Sequence, residues 1–159
     1  MAAKQSAGIL LYRKALDEVE VFLVHPGGPF WRNKDSNAWS IPKGEFVDGE
    51  EPQAPAVREF YEETGNMVAG KFTELKPVKL KSGKMIFAWA VQSDLNERTL
   101  KSNLFEMEWP PSSGNFQTFP EVDKGAWFAV STAKEKINAG QLDFISQIEK
   151  MLEVGSNEG

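Results

Sequence analysis

Apolar positions fall into short runs whose spacing switches between strand-like and helix-like. Residues 6–13, SAGILLYR, and 19–25, VEVFLVH, are apolar and rich in β-branched side chains, with a charged turn around Leu16-Asp17-Glu18 between them. They predict a hairpin. The next stretch, PGGPFWRNKDSN, combines glycines, prolines and two aromatics, which predicts a shaped loop. AWSIPKGE then runs directly into residues 44–65, GEFVDGEEPQAPAVREFYEETG. Within them Val57, Phe60, Tyr61 and Thr64 recur at helical spacing and form a stripe suited to packing on a sheet. Pro52 suits a first helical position, whereas Pro55 has no N–H to donate, so the regular helix is expected only after residue 55. Gly65 fits the left-handed position that closes helices.

Further along, strands are predicted at about 71–75 and 84–91, joined by a turn at Lys81-Ser82-Gly83-Lys84, and residues 92–103 are polar and irregular. FEMEW, 105–109, alternates as a half-buried strand does. PPSSGNFQTFPEVD reads as a loop leading to a strand at 126–130, AWFAV. Ser131 is placed to cap a helix that starts near Thr132 and ends at Asn138-Ala139-Gly140. A last amphipathic helix is expected over about 142–152, with Leu142, Ile145, Ile148, Met151 and Leu152 as its buried stripe, and residues from about 153 to 159 as a disordered tail. With no repeat and no linker, residues 1–159 read as a single domain.

Composition narrows the chemistry. At 41% hydrophobic and 26% charged, the 159 residues have the profile of a soluble globular protein. No apolar run approaches the ~18 residues of a membrane span and the start lacks a signal-peptide layout, so a cytoplasmic home is expected. There are no cysteines and one histidine, His25, which excludes thiol nucleophiles, disulfides and Cys/His zinc sites. Catalysis must therefore rest on carboxylates. The net charge of −5 argues against a broad nucleic-acid surface.

Those carboxylates gather on the 44–65 segment. On a helix Glu59, Glu62 and Glu63 stand at i, i+3 and i+4 and share one face. Like charges so placed cost roughly 0.2–0.5 kcal/mol per pair, and a hard divalent cation, which takes oxygen ligands and binds substrate phosphates, would offset that cost. Lys43, next to Gly44, suits a phosphate contact as a point charge, with a solvent-facing role as the alternative. Trp31 or Phe30 could stack on a base or simply pack their own loop.

The spacing of Gly44, Glu50, Arg58, Glu59, Glu62, Glu63 and Gly65 resembles the Nudix box at every charged and glycine position. Asn66 departs from it, standing where the family has an aliphatic residue, so the contact after the helix falls to Met67 or Val68. The resemblance continues through SAGILLYR, WSIPKGE and EVDKGAW. It implies an α/β/α sandwich with a mixed sheet, and a metal-dependent hydrolase, using Mg²⁺ or Mn²⁺, that cleaves the pyrophosphate linkage of a nucleoside diphosphate derivative.

Position by position, the resemblance makes Glu59 and Glu63 principal metal ligands. Glu62 becomes a third ligand or the holder of a metal-bound water, and the Lys43 carbonyl a further ligand. Arg58 would orient the helix carboxylates and Glu50 would support the box. The general base would be a box glutamate or an acid from a distant loop. For that acid Glu121, six residues before Trp127, is the candidate, with Glu106, Glu108 and Asp123 as competitors. His25 could contact a phosphate or a base. The substrate would be a small nucleotide, a dinucleoside polyphosphate or a nucleoside triphosphate. The alternatives are an RNA 5′-pyrophosphohydrolase and a non-catalytic nucleotide-binding module of the same fold. Oligomeric state stays open.

Overall fold

The chain was described from a computed structural model, which covers residues 5–15, 18–47 and 49–158, with side chains described through residue 152. The predicted hairpin is present as β1, Gln5–Ala15, and β2, Glu18–Pro26, paired antiparallel from Tyr12↔Val21 to Ala15↔Glu18. Part of its turn, residues 16–17, lies outside the described residues.

Both edges of β1 are occupied. One edge pairs in parallel with β6, Met85–Gln92, over residues 5–12. The other edge is shared: its start, Gln5–Gly8, pairs antiparallel with β3, Lys43–Phe46, and its end pairs with β2. The two partners therefore fork away from one strand. A Val24↔Ser40 bridge and the hydrogen bond from Ile9 N–H to the Pro42 carbonyl (3.1 Å) knit the crotch of that fork.

The sheet is completed by β4, Phe72–Glu74, and the two-residue β5, Val78–Lys79, both against β6, and by β9, Val122–Ala129, against β2. Parallel and antiparallel pairs coexist, as the mixed sheet requires. The turn expected at 81–84 is present, with Gly83 at φ +94°.

Alternation along β1 sends its side chains to two cores. Ala7, Ile9 and Leu11 join Phe22, Val24, Ala56 and Phe60 on one face, beneath α1, Gln53–Thr64. Leu10 and Tyr12 join Ile137, Phe144, Ile145 and Ile148 on the other, beneath α2, Val130–Lys136, and α3, Leu142–Glu158. The sheet lies between helices, an α/β/α sandwich.

Several local expectations are corrected. α1 begins at Gln53, not after residue 55. Pro55 falls within its first four positions, whose N–H groups lack intrahelical partners in any case, so proline breaks nothing there. The buried stripe of α1 is Pro55, Ala56, Phe60 and Thr64, while Tyr61 is 51% exposed. Ser131 lies inside α2 and caps nothing; the helix starts at Val130 and ends at Lys136. Leu142 is exposed, and Phe144 fills the core beside Ile145 and Ile148. α3 continues to Glu158, through the stretch expected to be a tail.

The largest departure is a second, two-stranded sheet. β7, Leu104–Glu108, was expected, but its partner β8, Phe116–Pro120, lies in the segment that read as a loop. The Pro/Ser/Gly-rich part forms only the turn between them.

Candidate functional site

α1 ends in the left-handed Gly65 (φ +73°), whose N–H donates to the Tyr61 carbonyl at 2.7 Å. Asn66 bonds instead of packing: its N–H and its Nδ2 return to the Thr64 hydroxyl (3.1 Å) and carbonyl (2.9 Å). Val68 makes the apolar contact with the core, and Met67 is exposed. The helix is thus fixed at its C-terminal end, directly after Glu62 and Glu63.

On the side of α1 that meets β3, Glu59 and Glu63 lie against main chain. The Lys43 N–H donates to Glu63 Oε1 at 3.2 Å. The Glu59 carboxyl fills the space beside Gly44 where any side chain would overlap it. Burial raises both carboxyls. Glu59 is pushed up to about 7 by desolvation and by the neighbouring Glu62, and Glu63 to about 8 by desolvation, against the opposing pull of the Lys43 N–H and ammonium. Lys43 is itself shifted down, first by burial and then by the charge of Lys84.

Arg58 reaches away from this cluster, donating from Nη1 to Glu50 Oε2 at 3.1 Å, while Glu50 Oε1 accepts from Val47 N–H at 3.4 Å. The pair ties the box loop to the helix. It is exposed, so its own contribution to stability is small.

Glu121 approaches from the other wall. It stands at the corner between β8 and β9, where its N–H donates to the Asn103 carbonyl (2.8 Å) and its own carbonyl accepts from Gly27 N–H (2.9 Å). Its side chain is exposed at the rim. Partial burial, then the charge of Glu62, raise its carboxyl above the usual range. A cleft of about 160 Å³ opens in the fork between β2 and β3, lined by Val24, Pro26, Ser40, Lys43, Glu63, Glu121 and Val122.

The acids are near one another without forming a closed cage: among the described residues, no three Asp, Glu or His side chains converge on one point. Glu59 and Glu63 turn to the β3 main chain, while Glu62 stays beside Glu59 and adds to the rise of its carboxyl. The donor set still fits a hard divalent cation. It consists of oxygens only, from two half-buried carboxyls, with Glu62, Glu121 and the Lys43 main chain alongside, and the shifts that burial imposes are those a cation would reverse.

Other candidates lie elsewhere. His25 is 1% exposed, with Nε2 2.6 Å from the Lys34 carbonyl oxygen and Nδ1 2.9 Å from Asp123 Oδ1, so neither ring nitrogen is free to meet a substrate. Asp123 is committed to that pair. Trp31 stacks edge-on with Phe30 and under the Lys34 ammonium, and packs partly on the core; it does not line the cleft. Glu108 accepts from Ser112 N–H in the β7–β8 turn, and Glu106 projects from the same ribbon. Sequence reasoning missed Ser40, Pro26 and Val122 as cleft walls, and Asn103 and Gly27 as the holders of Glu121. The one local signal was the glycine pair of HPGG, whose second member, Gly28, adopts φ +95°.

A helix presenting carboxyls to a strand-fork cleft, on a mixed sheet between helices, defines the class: an α/β sandwich protein with an acidic cleft. A family model described as the NUDIX domain matches residues 3–148, and the chain belongs to that family. An 8-oxo-(d)GTP phosphatase of Mycolicibacterium smegmatis is 27% identical over 144 residues, 84% of this chain; the chain spans 37% of that relative's length. The fold is shared with an Ap4A hydrolase of C. elegans (TM-score 0.63, 19% identity, 93% of this chain and 98% of that one). It is shared also with the NUDIX domain of Shewanella oneidensis NrtR, solved with ADP ribose (TM-score 0.65, 15% identity, 96% and 90%). Among the described residues, no helix is long and apolar enough to cross a membrane.

Proposed function

We propose that the chain hydrolyses a pyrophosphate linkage in a nucleoside di- or triphosphate derivative or a dinucleoside polyphosphate, with Mg²⁺ or Mn²⁺ held by Glu59, Glu63 and the Lys43 carbonyl and assisted by Glu62 and Glu121. The carrying observation is the pair of half-buried carboxyls, Glu59 against Gly44 and Glu63 on the Lys43 N–H, the second of them lining a cleft with a lysine in its wall.

A bound divalent ion supplies charge to the phosphate oxygens and acidity to water. The chain's own residues do the rest. Gly44 lets Glu59 come close to the strand, and the Lys43 N–H fixes the rotamer of Glu63. The Arg58–Glu50 pair ties α1 to the loop that follows β3. The Lys43 ammonium balances phosphate charge inside a partly desolvated cleft, where such a charge acts strongly. Glu121, opposite Glu62 and with its carboxyl raised, accepts the proton of the attacking water.

The named activities of relatives, on 8-oxo-(d)GTP and on Ap4A, support nucleotide anhydrides as the substrate class. The test is a nucleotide panel including ATP, 8-oxo-dGTP, Ap4A and ADP-ribose, with products resolved by chromatography, in Mg²⁺, in Mn²⁺ and in chelator. Cation-dependent cleavage of at least one anhydride is expected. Tight nucleotide binding without turnover under every condition would refute the hydrolytic reading.

A further inference from the structure

His25 is the one histidine of the chain and is buried at the end of β2, two residues before the main-chain bond that holds Glu121. Its two ring nitrogens face two acceptors: the Lys34 carbonyl oxygen at 2.6 Å and Asp123 Oδ1 at 2.9 Å. A carbonyl can only accept, so Nε2 must donate to it. Nδ1 shares the second bond with the Asp123 carboxyl, so both ring nitrogens are engaged. With 1% of the residue exposed, no solvent can replace either partner.

What this ring joins gives it a role. Asp123 lies two residues beyond Glu121 on β9, across a register shift between His25 and Pro26. Gly27 N–H holds the Glu121 carbonyl, and a side chain on Gly27 would overlap the Pro120 carbonyl, so the corner is packed tightly against β2. On the other side, Lys34 belongs to the aromatic loop, its ammonium 3.7 Å from the Phe30 ring centre and 5.0 Å from that of Trp31. The edge of Trp39 supports the imidazole at 5.2 Å between ring centres. Charged groups around the site are Asp123 and Lys124 on β9, Lys34 and Asp35 on the loop, and Lys136 on α2, which pairs with Asp35.

We propose that His25 is a positioning residue whose ring, hydrogen-bonded at both nitrogens, clamps the aromatic loop to the Glu121 corner and so fixes one wall of the cleft. The inference rests on the hydrolytic reading only for its kinetic consequence; the state of the ring is a separate observable. Asp123, at the surface, is the point of attack, since Asp123→Ala removes one jaw of the clamp and leaves the buried ring in place. Asp123→Asn keeps an oxygen and an amide able to bond the ring.

The experiment is ¹⁵N NMR of the full-length, uniformly labelled protein at pH 7, in which a single histidine makes the ring signals unambiguous, together with steady-state kinetics on the best substrate of the panel. A protonated Nε2 is expected in the wild type, with an Nδ1 signal that moves in Asp123→Ala. Asp123→Ala is expected to lower kcat/KM about tenfold, and Asp123→Asn to restore most of it. An unprotonated Nε2 in the wild type, or an Nδ1 signal unchanged in Asp123→Ala, would overturn the clamp, as would full kcat/KM in Asp123→Ala. Should Asp123→Ala not fold, the wild-type spectrum and the Asp123→Asn kinetics decide. If the wild type hydrolyses nothing, the hydrolytic reading falls and the ring spectrum alone judges the clamp.

Discussion

The carboxyl of Glu59 occupies the space that a side chain at Gly44 would need. That overlap makes the first glycine of the box a spatial requirement of the acid fifteen residues later. Gly44→Ala is expected to push Glu59 off β3 and reduce kcat by at least about tenfold, with a rise in the Mg²⁺ concentration needed for half-maximal rate. Cation titration of the initial rate checks it, and an unchanged titration curve would remove Glu59 from the ligand set.

Glu63 is held largely buried by one main-chain donor. Glu63→Gln keeps shape and hydrogen bonding while removing a charge that burial opposes, so it should lower turnover by about 10²–10³ while raising the melting temperature of the cation-free protein at pH 8. Calorimetry in chelator, set beside the turnover number, separates the two effects. Glu62→Gln should share the loss of turnover.

The same shifts predict a pH dependence. Carboxyls with an ordinary value of 4.5 are raised in the folded chain to about 7 at Glu59 and about 8 at Glu63, so the native state keeps protons that the unfolded chain releases. Unfolding free energy then falls as pH rises. In chelator, the contribution of these groups is fully present below about pH 4.5 and is lost as pH climbs through 7 to 8. Millimolar Mg²⁺ should restore stability at pH 8. Thermal melts from pH 5 to 9, with and without the cation, measure it; a cation-free stability that increases over that range would contradict the buried placement.

Glu121→Gln is expected to lower kcat more than it weakens nucleotide binding, because the side chain stands at the rim and leaves the cleft wall intact. Binding titration with a non-hydrolysable nucleotide, compared with turnover, tests the split. A change in affinity alone would restrict Glu121 to the pocket.

How much of this the sequence carried depends on the distance over which each feature is encoded. The box acids, the Gly65 cap and the β1–β2 hairpin are local patterns and stood out from spacing alone. β8 was hidden because its partner β7 supplies what its own composition does not: residues 116–120 are mostly exposed, and only pairing from Leu104↔Pro120 to Glu108↔Phe116 makes them a strand. The stripe of α1 was misread by one position because Tyr61 scored as apolar and the small Ala56, which is wholly buried, did not draw notice. Within the site, the Lys43–Glu63 and Gly44–Glu59 contacts join residues 20 and 15 positions apart through the fork of β1's partners, and His25 meets Asp123 across 98. Such contacts are properties of the folded topology.

The β7–β8 ribbon pairs only with itself and meets the rest of the chain at its base, where Asn103 bonds Glu62 and Glu121, and along one side, where Phe105 and Met107 approach Gly28. Because no rung of the central sheet depends on it, the ribbon can be reshaped, lengthened or exchanged without moving Glu59 or Glu63. The acid-bearing helix and the strand fork beneath it are therefore insulated from change in residues 104–120, which can take substitutions and insertions at little cost to the central sheet.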